Sequence, residues 1–365
     1  MPSPSRWTTR TRVLVTGAVV ALALVAVGAL VPAPYVGLGP GVTYNTLSAV
    51  NGQEVITFQG KDIPASVDQT FPDQGHLNMT TISVTNDDMT LFESLGWWFR
   101  GDTALVPRED VYPPGKTVQQ VNELNKQMFT ESRSAAELAA LEYLKYPEAT
   151  YAGNVLNDAP SAGKLQPQDR ITTINGSKVT DVRSLLATLS NTRPGQQISV
   201  GVVRDDKPVT VRITLGKRPN PEQADPAVRN TGFLGIEPVQ RPYAPFTVNI
   251  SLDRIGGPSA GLMFTLGVID KLTPGDLTSG HFIAGTGEID PQPDGSAKVG
   301  PIGGILMKMI AARRAGATVF LVPAANCQEA LTRVPEGLEL VRVGTLTDAM
   351  TAMDQLGKGQ TPRGC

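Results

Sequence analysis

The sequence predicts a multidomain α+β protein: an N-terminal transmembrane helix, a small β-rich region with a long helix, a second strand-rich unit, and a C-terminal α/β domain. Three observations carry this. An uncharged apolar run, Val13–Val31, stands by itself near the N-terminus. Short alternating strand runs broken by Gly, Pro, Asn and Asp turn signals fill much of the chain between Tyr35 and Leu215. Beyond them, glycine-rich loops lead into two apolar helices between Ile255 and Gly316. With 365 residues and 41% hydrophobic content, two or three domains can each bury a core. Lys+Arg at 32 against Asp+Glu at 34 leave a net charge of −2, which excludes a basic groove for nucleic acid. Two cysteines, Cys327 and Cys365, and two histidines, His76 and His281, exclude four-thiolate and three-histidine zinc sites, so no metal and no cofactor are expected.

The 19 residues of Val13–Val31, at about 1.5 Å each, nearly match a hydrocarbon core of ~30 Å. Arg6, Arg10 and Arg12 precede the run and no acidic residue occurs before Glu54. The positive-inside bias then keeps residues 1–12 in the cytoplasm, passes 13–33 through the cell membrane, and leaves the rest outside. A cleaved signal peptide, with Val31-Pro32-Ala33 as the small-residue site, is the alternative, and the compartment is the same. Disulfides persist there, so Cys327 and Cys365 are expected to pair; the alternative is a buried Cys327 and a free Cys365.

Residues 35–143 form the β-rich region, with strands at Glu54–Phe58 and Thr80–Thr85. Val118, Val121, Leu124, Met128, Ala135, Leu138 and Leu141 recur at 3- and 4-residue spacing, an amphipathic helix over about 117–143. Ahead of it, Asp110–Thr117 ends like a phosphate-binding loop. Asp110 replaces the first glycine, however, and Pro113 and Pro114 remove N–H donors, so a turn is expected there.

In 144–216, a small-residue turn, Leu165, Asp169-Arg170-Ile171 and Ile174-Asn175-Gly176 precede a helix near Asp181–Leu189 and two alternating strands, Ile198–Val203 and Val209–Leu215. This order resembles a PDZ domain, with Gln168 where that family usually has glycine. The resemblance implies a sheet edge that adds an extended peptide. Tyr151-Ala152-Gly153 is the candidate for its carboxylate-binding loop. A strand-rich spacer is the alternative. Residues 217–230, rich in Pro, Asn and charge, read as a linker.

The chemistry is expected in 231–358, followed by a tail, 359–365. Gly257-Pro258-Ser259-Ala260-Gly261 enters a helix with an apolar stripe at Leu262, Met263, Leu266, Ile269 and Leu272. A hydroxyl at a glycine-rich helix start can act as a nucleophile, with amides ready for an oxyanion; by itself Ser259 could equally be an N-cap. With two histidines in the chain, the base that a nucleophile needs falls to lysine. Lys308 lies among Ile305, Leu306, Met307, Met309, Ile310, Ala311 and Ala312, where desolvation lowers an ammonium's pKa.

These segments, with Thr286-Gly287-Glu288-Ile289, Val299–Gly304, Arg314-Ala315-Gly316 and Pro323…Asn326, resemble in order the proteolytic domain of Lon-type serine peptidases. The resemblance implies Ser259 as nucleophile, Lys308 as base and Thr286 as a hydrogen-bonding helper. Lon enzymes usually carry Asp where Gly256 stands. Anchor, PDZ and peptidase in this order resemble the bacterial membrane-anchored PDZ-containing Lon-like proteases. That implies polypeptide substrates and a homo-oligomer. No G-x-x-x-x-G-K-[ST] occurs in the sequence, so ATP-independent cleavage of unfolded or exposed extracytoplasmic proteins is expected. The alternatives are a catalytically silent PDZ scaffold at the membrane and a processing protease with one dedicated client.

Overall fold

The computed structural model describes residues 8–69, 75–85, 89–204, 207–224, 228–252 and 255–365. Arg6 and residues 225–227 of the expected linker lie outside them. Helix α1 (Thr9–Leu30) has Thr8 as its cap and buries only Gly28. It is long and apolar enough to cross a membrane. Strands β1 (Tyr35–Asn45), β2 (Ile56–Gly60) and β3 (His76–Val84) follow, then helix α2 (Leu91–Phe99), strand β4 (Ala104–Pro107) and the long helix α3 (Val118–Tyr143). Next come β5 (Glu148–Val155), β6 (Arg170–Ile174), helix α4 (Val182–Ser190), β7 (Gln197–Arg204), β8 (Lys207–Thr214) and β9 (Ile236–Pro242). The C-terminal part holds β10 (Phe246–Ile250), helix α5 (Gly261–Leu272), β11 (Phe282–Gly285), β12 (Glu288–Pro291), β13 (Ala297–Gly300), helix α6 (Ile305–Ala315), β14 (Val319–Pro323), β15 (Glu339–Val343) and helix α7 (Leu346–Gly357).

The chain divides into two compact units, Met1–Ala139 with Val248–Cys365, and Ala140–Thr247. This differs from the serial order read from the sequence, in which 35–143 and 231–358 fold apart. In the first unit one sheet runs β15-β14-β11-β3-β1-β4. Strand β3 lies parallel to β11, with His76 opposite Phe282 and Met79 opposite Gly285. The β-rich region is therefore half of the sheet on which the C-terminal domain is built. A parallel partner some two hundred residues away leaves no mark on the local pattern of either strand. Helix α5 is buried along almost its whole length, Lys271 being its one residue outside the core.

The C-terminal residues are tied down rather than a free tail. Arg342 N–H donates to Arg363 O at 2.9 Å, and Cys365 is joined to Cys327 by a disulfide with Cα atoms 5.3 Å apart.

In the second unit the sheet order is β8-β7-β6-β5-β9. Leu165, Ile171, Ile174, Leu185, Ile198, Val200, Val202 and Ile213 make its core. Asp181 caps α4 through a reciprocal bond pair with Ser184, which is why the helix starts one residue after the motif's Asp. Asp169, 1% exposed, accepts Arg204 Nε at 2.7 Å and Nη2 at 2.6 Å, so its buried charge is fully paired. Gln168 adopts φ +73°, the left-handed conformation that glycine takes at no steric cost. The unit reaches beyond residue 216. Strand β9, expected within the C-terminal domain, pairs with β5 from Ile236 opposite Val155 to Pro242 opposite Glu148. On either side of the expected linker, Gly216 and Phe233 exchange backbone bonds of 3.0 and 2.9 Å.

The disulfide closes a separation of 38 residues, for which chain entropy gives a stabilisation of up to roughly 4 kcal/mol. Cys365→Ser should lower the unfolding free energy by about 2–4 kcal/mol in urea titrations. A loss under about 0.5 kcal/mol would mean that the bridge constrains nothing that the Arg342–Arg363 pairing does not already hold.

Candidate active site

Ser259 lies in the loop ahead of α5, whose N-cap is Ala260 with no side-chain cap bond. Its hydroxyl thus has no capping duty, and the N-cap alternative falls away. Two donors hold its carbonyl oxygen, Gly287 N–H at 2.8 Å and Thr286 Oγ1 at 3.0 Å. Leu262 N–H donates to Gly287 O at 3.0 Å, so the first turn of α5 is knitted to the 286–287 segment. Gly261 permits this closeness, because a Cβ there would sit 2.9 Å from the backbone nitrogen of Ile289.

Lys308 lies on α6, between a left-handed Gly304 cap and a left-handed Gly316. It is 3% exposed. Its Nζ lies 2.8 Å from Ser259 Oγ and 3.0 Å from Thr286 Oγ1. Burial pulls its pKa down to about 7, against the opposing pull of the Glu288 carboxylate. Burial also pushes the Glu288 carboxyl above its ordinary value, and Lys308 counters that. Thr286 donates its one hydroxyl proton to Ser259 O, so it can only accept from Lys308. A neutral lysine that donates to Thr286 then keeps its lone pair for the Ser259 hydroxyl proton.

The loop around Ser259 is braced by α3, a contribution that the sequence did not reveal. Gly257 N–H donates to Asn125 O at 2.8 Å, and Ser132 Oγ donates to Pro258 O at 3.0 Å. Gly256, at the position where Lon enzymes usually carry Asp, packs so closely on α3 that a Cβ would sit 2.9 Å from Asn125 Cβ. On the far side, Asn326 accepts from Ile302 N–H at 3.0 Å and donates to Ile302 O at 2.9 Å, clamping the loop before α6. Ser259 and Lys308 open into a cleft of about 1500 Å³, lined by Gly41, Val42 and Tyr44, by residues 79–84, by α3 and by Glu288. His76 instead stacks on Phe282 with ring centroids 4.3 Å apart, and neither His76 nor His281 is among the residues lining the cleft. Among the described residues no cluster of His, Cys, Asp and Glu is arranged to hold a metal ion.

The reading of Tyr151-Ala152-Gly153 as a carboxylate-binding loop is corrected. These residues lie inside β5, paired with β6 through Tyr151–Arg170 and with β9 through Tyr151–Val239 and Ala152–Pro238. Ala152 N–H donates to Asp169 O at 2.9 Å, so that amide is not free for a ligand. One edge of this sheet is β9, near α4, where Val182 N–H meets Gln240 Oε1 at 3.4 Å. Its sequence, with two prolines in seven residues, carries little of the alternation that marks a strand.

Comparison with known proteins gives two family matches, a PDZ domain over residues 115–215 and the Lon protease (S16) C-terminal proteolytic domain over residues 254–354. A Lon protease of Campylobacter concisus is 35% identical over 98 residues, 26% of this chain and 11% of that protein. Lon protease 2 of Bacillus subtilis is 34% identical over 98 residues, 26% of this chain and 16% of that protein. The chain thus spans a small fraction of the curated relatives it matches. Among solved structures, the PDZ domain of an SdrC-like protein from Listeria monocytogenes is 22% identical, covering 25% of this chain and 87% of that one with a TM-score of 0.22. The chain joins a PDZ domain to a Lon-type serine-protease domain.

A lysine whose pKa falls from 10.5 to about 7 on folding costs stability wherever the unfolded side chain is charged. At pH 7 that cost is on the order of 4 kcal/mol. Between pH 7 and about 10 the unfolded chain binds the extra proton, so this cost shrinks as pH rises. Lys308→Met should therefore be more stable than the wild type at pH 7, by roughly 2–4 kcal/mol in urea unfolding, with the gap closing toward pH 10. A Met variant less stable than wild type at pH 7 would mean that Lys308 is held as a paired cation.

Proposed function

We propose that the chain is an ATP-independent, membrane-anchored serine endopeptidase working through a Ser259–Lys308 dyad. The observation that carries this is the 2.8 Å approach of Ser259 Oγ to a buried lysine whose pKa lies at about 7. Neutral Lys308 accepts the Ser259 hydroxyl proton as Oγ attacks a peptide carbonyl carbon. The carbonyl oxygen becomes an oxyanion at the N-terminal end of α5. Among the described residues, the amides of Ser259 and Ala260 donate to no protein acceptor and are the candidates to receive it. Protonated Lys308 then gives its proton to the departing amine, leaving an acyl-enzyme on Ser259. A water, deprotonated by the same lysine, releases the acid and restores both groups.

Thr286 is a positioning residue in this scheme, orienting the lysine lone pair. Substrates are unfolded or exposed segments of extracytoplasmic proteins, since no ATP-binding loop in this sequence supplies unfolding work. The PDZ domain selects or gates them, with an extended segment adding to the β9 edge. Arg10 and Arg12 hold the start of α1 on the cytoplasmic side, which leaves the peptidase outside.

Ser259→Ala should lower peptide cleavage roughly 10³-fold or more. Lys308→Arg should do nearly the same, because a guanidinium stays protonated. With wild type, kcat/KM should rise about tenfold between pH 6 and 8 as a base of pKa about 7 loses its proton. Near wild-type cleavage by Lys308→Arg, or a flat pH profile, would contradict the dyad.

A further inference from the structure

Helix α2 has two apolar faces. On one, Ser94 is buried and the Trp97 ring lies against β1, where a Cβ on Gly37 would sit 2.5 Å from Trp97 Cε3. That face joins the core of the first unit. On the other, Leu91, Phe92, Leu95, Trp98 and Phe99 are 43, 48, 43, 66 and 78% exposed. At about 100° per residue these five share an arc of about 120°. A surface helix normally turns its polar side outward, and five large apolar side chains on one outward arc need a cover.

What covers them follows from where the arc begins. The Phe92 ring sits on Gly28 in the last part of α1, where an added Cβ would lie 2.5 Å from Phe92 Cζ. The chain leaving α1 is pinned to the start of α2 by a bridge between Pro32 and Thr90, and Ala33 N–H donates to Met89 O at 2.7 Å. The outward face of α2 is thus continuous with the end of the apolar span. Its composition suits the boundary between headgroups and acyl chains. It carries Trp and Phe, with Arg100 just beyond, and the helix's one acid, Glu93, lies off this arc in the capping box, accepting Thr90 N–H and Oγ1 at 2.7 and 2.9 Å.

We propose that α2 is a membrane-interface helix, its outward arc set into the surface of the same bilayer that α1 crosses. This rests on the reading of α1 as a membrane span. The helix would also hold the peptidase in a fixed pose on the membrane. Trp97 packs on the β1 segment that continues to Gly41 and Val42 in the cleft. Just past α2, Asp102 accepts Arg314 at 2.5 Å from the end of the Lys308 helix, and Arg333 bonds to Gly101 O. From the Trp97 contact at Gly37, the cleft residues Gly41 and Val42 lie within about 17 Å along β1, at ~3.3 Å per residue.

The test uses the full chain with Trp7→Phe, reconstituted in phosphatidylcholine–phosphatidylglycerol vesicles that contain brominated lipid, and compares it with the same chain carrying Trp98→Phe. The expected result is carbonate-resistant integration, with at least a third of the indole emission quenched by lipid bromine and most of that quenching lost with Trp98→Phe. Integration without quenching, with Trp98 open to aqueous iodide, would overturn the proposal and leave the span reading intact. Extraction by carbonate would sink the span reading and the proposal with it. Trp98 shielded from both quenchers, with shielding that grows with the protein-to-lipid ratio, would assign the face to a second copy of the chain and also overturn the proposal.

Discussion

The arrangement at the candidate site depends on one unfavourable burial. Lys308 is 3% exposed on a helix whose other buried residues include Ile305, Met309 and Ala312 of an apolar core. Its amine lies at hydrogen-bond distance from two hydroxyls, at 2.8 and 3.0 Å. In water the ammonium would be the stable form by more than three pH units at neutrality. Here desolvation moves it to about 7, so that either form is accessible. Two neutral hydroxyls can accept from an ammonium or sit beside an amine, whereas a carboxylate at the same distance would lock the charge. Glu288, on the first residue of β12, exerts that opposing pull from farther off.

Much of the remaining structure keeps those three side chains in register. The carbonyl of Ser259 is held by the backbone of Gly287 and the side chain of Thr286. The loop before it is tied to α3 through Asn125 and Ser132, and the loop before α6 is clamped by Asn326. A base and nucleophile need placement to within a fraction of an ångström, and a loop pinned from both sides supplies it. The missing acid at Gly256 then has a local cause, since α3 occupies the space its side chain would take.

The site was more legible in the sequence than the fold around it. Ser259 and Lys308 stood out because a glycine-rich helix entry and a lysine inside an apolar run are local patterns, and scarcity of histidine narrowed the choice of base. Helix α3 was readable from its spacing to within a residue or two. Its brace on Gly257 was not, because the bond is made by the backbone carbonyl of Asn125, which any residue could offer. The parallel pairing of β3 with β11 was likewise invisible, and so two segments of one sheet read as two domains. Strand β9 failed for a different reason: its two prolines blur the alternation of a strand, and with 217–230 read as a linker it fell on the C-terminal side, while Tyr151–Gly153, inside β5, carries no local mark of the partner strands on both its sides.

The central claim is that Lys308 exchanges its proton near neutrality while held against Ser259. Carbon-13 NMR of protein labelled at lysine Cε tests it directly, by titrating the full chain from pH 5 to pH 11 and identifying the Lys308 resonance by its loss in Lys308→Met. One resonance that shifts with a midpoint near pH 7, well separated from the other lysines, is the result the account predicts. A Lys308 resonance that titrates with the others above about pH 10 would contradict it.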